Sequence, residues 1–155
     1  MINEQKIIDT INKHRKRVFD LMAKISQDVM QRGNDHDLSK YDETELPTYA
    51  RVIEEFEKCP YGSVGYWRAK DSLGDTVKHH HEKNRHHPEH FHNGIDGMNL
   101  VDLLEMLCDW KSATQNHPEH PGDMQNSIKI AIEKYKISPQ LAQVLYNTMK
   151  DFDLT

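Results

Sequence analysis

Apolar residues recur at helical spacing along this chain, and no segment shows the strict alternation of a half-buried strand. The clearest stripe is the first: Ile7, Ile11, Val18, Leu21, Ile25 and Val29, with His14 filling the seven-residue gap. That periodicity leaves one fold class standing, all-α, as a compact bundle of about six or seven helices. The 155 residues suit one domain with room for a core, spanning the whole of 1–155.

Punctuation places the helix ends. Gly33, in RGND, reads as the C-terminal stop of the first helix. Pro47 is tolerated only in a first turn, so the second helix starts near Thr44, with the stripe Leu46, Tyr49, Ala50, Ile53 and Phe56. Cys59 to Ser63 reads as a loop. A third helix is expected from about Tyr66 to Asn84, with Gly74 as its weak point. Pro88, Gly94 and Gly97 make the next stretch irregular. A fourth helix starts at Asn99, where Asp102 resembles the acidic partner of an N-cap. Two more helices follow the loop His117–Asp123, the last opening with Ser138–Pro139. The tetrapeptide HPEH, at 87–90 and 117–120, is too short to be a repeat.

A formal net charge of −5 argues against a general polyanion binder, long nucleic acid included, and leaves room for a small anionic ligand. The two cysteines lack CxxC spacing, and no apolar run approaches the roughly 20 residues needed to span a bilayer. A soluble, reduced, cytoplasmic protein without a membrane partner is the expectation.

The chemistry lies where polar residues sit on apolar faces. Seven of the eleven histidines fall in HHHEKNRHHPEHFHNG, His79 to Gly94. His80 and Asn84, three and seven residues after Val77, continue an inward face. His81 lies at its margin and His79 points to solvent. His14 takes a core-facing position in the first stripe. Asp109 lies among Met106, Trp110 and Ala113, with Glu105 one turn earlier, while Asp102 is a capping or solvated acid. Buried imidazoles and carboxylates are costly unless paired or ligated. Together with His36–Asp37 they form the donor set of borderline divalent metals. His90, His92, His117 and His120 are expected at the surface. Tyr61, Tyr66 and Trp67 are expected in packing rather than in base stacking.

The order His14, His36–Asp37, His80, His86–His87, Asp109 resembles the HD-domain superfamily of metal-dependent phosphohydrolases. More closely, HDLSK, HHHEKNRHH and LLEMLCDWKSA resemble a family of small, mostly phage-encoded proteins of unknown function. That family carries HDLSKF-like, HxxxNxHH and EMxxDW elements; Tyr41 stands where Phe is usual. The resemblance covers roughly residues 14–113. It implies an HD-like bundle in which His36, Asp37 and Asp109 ligate one metal, with His14 as fourth ligand. His80 and one or both of His86 and His87 would serve a second, with Asp37 bridging. The implied cofactor is one or two divalent ions: manganese, iron, cobalt, nickel or zinc, with magnesium also admitted. The implied activity is hydrolysis of a nucleotide or another small phosphate ester, in a host cytoplasm if the chain is phage-encoded.

In that chemistry Asp37, Glu105 and Lys40 are the catalytic candidates, Glu105 as proton acceptor or as the acid that orients His36. Lys40, Lys83, Arg85 and Asn84 are candidates to meet the substrate. The same donor set also serves a di-iron oxygenase, and a non-catalytic protein that sequesters a nucleotide would share the pocket. A purely structural histidine cluster predicts no metal at all. Homo-oligomerisation stays open.

Overall fold

Seven α-helices and three short 3-10 turns account for the regular structure of the computed structural model, which describes residues 4–59, 63–115 and 123–154. No strand occurs among the described residues, so the all-α expectation holds. The chain divides into two compact units, Met1–His36 and Asp37–Thr155.

The first unit is one long helix, α1 (Glu4–Asp35). It continues two residues beyond Gly33, so the expected stop at RGND comes too early. Pairs four residues apart, Gln5–Asp9, Lys16–Asp20 and Gln31–Asp35, lace its surface. No residue of α1 is buried, His14 included. The expected core-facing position of His14 is therefore not met within this unit, because one helix alone has a stripe but no core.

The second unit begins with a 3-10 turn, Leu38–Tyr41, followed by α2 (Leu46–Lys58), α3 (Val64–Ser72) and α4 (Asp75–Lys83). Turns at Pro88–His90 and Gly94–Gly97 lead to α5 (Leu100–Gln115), α6 (Met124–Tyr135) and α7 (Pro139–Asp151). Several local signals act as expected. Pro47 sits in the first turn of α2. Ser138 Oγ accepts the Leu141 N–H ahead of Pro139 in α7. Asn99 Oδ1 accepts the N–H groups of Val101 and Asp102, and Asp102 Oδ2 accepts the Asn99 N–H in return. This reciprocal cap satisfies the donors that a helix start leaves unpaired.

Two expectations fail for physical reasons. The single helix expected over Tyr66–Asn84 is two helices. Gly74, at φ 53 and ψ −127, breaks it in a conformation that a side chain resists. In α2 the inward face is Glu45, Tyr49, Val52 and Phe56, spaced four, three and four residues apart, whereas Leu46, Ala50 and Ile53 are exposed. What α2 packs against selects the face; sequence hydrophobicity alone points one position away.

The apolar core is built by Met106 and Leu107 of α5, Ile128 and Ala131 of α6, and Leu145 and Met149 of α7. Helices α6 and α7, which carry no site motif, thus supply much of the platform. No helix among the described residues is long and apolar enough to cross a membrane.

The two glycines should respond oppositely to substitution. Gly74→Ala is expected to lower the unfolding free energy by about 1–3 kcal/mol, because its positive φ strains a Cβ. Gly33→Ala, inside α1 with nothing within 4 Å of the added methyl, should raise it by about 0.5–1 kcal/mol. Urea denaturation of both variants measures the signs.

Candidate metal centre

Asp37 opens the 3-10 turn Leu38–Tyr41 in a left-handed conformation, φ 58 and ψ 17, which Asp and Asn tolerate better than most residues. The turn aims its carboxylate at α4 and the loop behind it. Asp37 Oδ1 lies 3.2 Å from His80 Nε2 and 3.5 Å from His86 Nε2. Lys40 Nζ lies 2.6 Å from Oδ2.

Both imidazoles are held from behind by acids. Glu45 is fully buried, and its two oxygens take His79 Nδ1 at 2.8 Å and His80 Nδ1 at 2.9 Å. Glu105 Oε1 lies 3.1 Å from His86 Nδ1. Ionised carboxylates only accept, so the Nδ1 atoms donate and a neutral ring presents its lone pair at Nε2. Burial pushes the Glu45 carboxyl up, but hydrogen bonds from Ser39, His79 and His80 outweigh it and hold the group below the usual carboxylate range. Asn84 braces the assembly: its amide nitrogen donates to Ser39 Oγ at 2.7 Å and to the His80 carbonyl at 2.8 Å. That nitrogen also lies 3.1 Å from His80 Nδ1, but two donors cannot bond each other, so Glu45 takes that proton.

Four side chains, Asp37, His80, His86 and His87, bring ligand atoms within 4.8 Å of one another. Asp37, His86 and Asp109 do so as well, with Asp109 supplied by α5. His87 Nε2 is buried and makes no hydrogen bond among the described residues. Burial, reinforced by His86, His80 and His81, pushes the His87 ring far below the usual histidine range, so it stays neutral. Tyr49 meets His80 edge-on at 6.1 Å, and burial beside Glu45 and Asp37 pushes its phenol well above the ordinary range.

These residues fit a divalent cation. Ligands about 2.0–2.2 Å from a tetrahedral centre stand roughly 3.3–3.6 Å apart, close to the 3.2 and 3.5 Å separations around Asp37 Oδ1. Acid-backed histidines turning Nε2 toward a common carboxylate oxygen are a usual arrangement of ligating imidazoles.

A family model described as a family of unknown function (DUF5662) matches residues 3–151. The chain belongs to this family. No curated protein and no solved structure matches it.

In this DUF5662 chain the other expected site residues divide clearly. His36 ends the first unit and precedes Asp37 directly in the chain. His14 lies exposed on α1. Arg85 turns two of its guanidinium nitrogens to Asp102, through bonds of 2.9 and 3.0 Å, and stacks over Phe91. Asp102 is correspondingly buried rather than solvated. Lys83 is exposed at the end of α4. Asn84 spends its amide protons on the scaffold. His79, expected in solvent, is drawn inward because the two oxygens of Glu45 span neighbouring positions of α4. His90 donates to the His81 carbonyl, and His92 is exposed. Tyr66 packs on Phe56 and Trp67. Tyr61, His117 and His120 lie outside the described residues.

Glu45 was missed in the sequence. Its signal was phase: it stands four, seven and eleven residues before Tyr49, Val52 and Phe56.

Glu45→Gln keeps the volume but places a donor where one imidazole must donate. Affinity for cobalt(II) or zinc(II) is expected to fall about 10–100-fold, with the exposed Glu54→Gln unchanged. Metal titration of both variants reads this out.

Proposed function

We propose that this protein is a metal-dependent phosphohydrolase acting on a nucleotide or another small phosphate ester. The observation that carries the reading is the convergence of His80 Nε2 and His86 Nε2 on Asp37 Oδ1, each ring backed by an acid. Three electron-rich atoms in that arrangement repel unless a cation or a proton lies among them. The resemblance of the order His14, His36–Asp37, His80, His86–His87, Asp109 to the HD-domain superfamily supports the same reading.

Asp37, His80 and His86, joined by His87 or Asp109, would hold one or two divalent ions. His36 adds a ligand on the strength of the resemblance alone. Such an ion, when bound, acidifies water and polarises a phosphoryl oxygen. The chain's own residues do the rest. Glu45 and Glu105 fix the ring orientations and keep Nδ1 protonated, so Glu105 is a positioning residue for His86. Lys40, beside Asp37, is assigned to the substrate phosphate. Water adds to phosphorus, the ester P–O bond breaks, and the leaving oxygen takes up a proton.

The test is a phosphate-release screen over nucleotides and small phosphate esters with manganese, cobalt, nickel, zinc and magnesium. Chelation should abolish release, and metal should restore it. Asp37→Asn, which preserves the left-handed turn, should cut kcat/KM at least about 100-fold. Lys40→Ala should cost about 10-fold or more. Absence of release with every pairing would sink the reading; oxygen uptake by the iron-loaded protein would point to an oxygenase, and tight nucleotide binding without turnover to a sequestering protein.

A further inference from the structure

Behind the Asp37 centre the same stretch of chain forms a second donor set. His81 on α4, His87 in the following loop, and Glu89 in the turn Pro88–His90 bring ligand atoms within 4.8 Å of one another. None of the family-like motif positions explains His81 or Glu89. The rings of His81 and His87 lie 4.6 Å apart, tilted by 45°.

Two features separate this trio from a chance surface cluster. His87 Nε2 is buried with no hydrogen bond among the described residues. Glu89 is fixed from outside: Lys134 Nζ at 2.8 Å and Tyr135 Oη at 3.0 Å, both on α6, contact the same oxygen, Oε1. The Oε2 atom lies outside those two bonds.

We infer that His81, His87 and Glu89 form a binding site for a second, separate divalent transition cation. Two imidazoles and one carboxylate are the N/N/O ligand set of open zinc-type sites. The open side is real space. His81 and Glu89 line a groove of about 370 Å³ together with Gly74, Val77, Lys78 and Glu82, so water or an anionic ligand can complete the coordination. An imidazole normally serves one ion at a time, so an ion held by His81, His87 and Glu89 leaves Asp37, His80, His86 and Asp109 for the inner one. The α3–α4 break at Gly74 forms one wall of that groove.

The inference is independent of phosphate hydrolysis, and its test does not measure activity. Metal-free protein is dialysed against cobalt(II), and the bound metal is counted by elemental analysis and by visible absorption. His81→Ala and Glu89→Ala should each bind one equivalent less than the wild type. Asp37→Asn should retain the equivalent that these two variants lose. If His81→Ala and Glu89→Ala both bind as much cobalt(II) as the wild type, the outer site does not exist. Far-UV circular dichroism checks folding; should either alanine variant unfold, the milder Glu89→Gln decides by the same count.

Discussion

The carboxylate of Glu45 is the constraint on which this site depends. An ionised acid with no exposure to water survives only where donors surround it. Here they come from Ser39 in the first turn of the unit and from adjacent histidines on α4. Satisfying one buried charge therefore ties the start of α2 to the turn that carries Asp37 and to the helix that carries His80. The tautomer of His80 follows from the same bond. The acid's bond to Nδ1 leaves Nε2 to face Asp37.

A second strut works from the opposite direction. Asp102 caps α5 through the Asn99 N–H and grips Arg85 with both oxygens. Arg85 immediately precedes His86 and His87 in the chain. One fully buried acid thus anchors the histidine loop to the start of the helix that provides Glu105 and Asp109. The apolar interior of α5, α6 and α7 keeps that helix still. Packing sets the platform here, and hydrogen-bonded charges set the site upon it. Such networks are costly when half satisfied, so losing one member should be felt by several others.

The legibility of the sequence followed the physics of each signal. Helical period, capping residues and proline at helix starts are local, and they located α2, α5 and α7 well. Phase on α4 correctly sent His80 and Asn84 inward. The same argument failed for His79, because its partner is a charge on another element and leaves no trace in the period of its own helix. Glu45 was hidden for a related reason: a charged residue at the head of a helix reads as solvated or capping. The inward turn of α2 by one position, burying Val52 and exposing Ile53, was decided by tertiary packing. His86 and His87 lie beyond the helix end, where no period operates, and only a resemblance pointed to them. Arg85 reads in the sequence as a substrate contact and Asp102 as a capping or solvated acid, and only their proximity reveals a clamp.

The left-handed backbone at Asp37 also limits how this position can change over time. Few residues sit comfortably at φ 58; glycine, asparagine and aspartate are the least strained. Asparagine and glycine are each a single base change from aspartate. A relative can therefore lose the carboxylate in one step and keep the turn, the surrounding hydrogen bonds and the fold. Descendants with Asn or Gly at this position would be intact scaffolds without that carboxylate. The family should accordingly be able to lose this carboxylate without passing through an unstable ancestor.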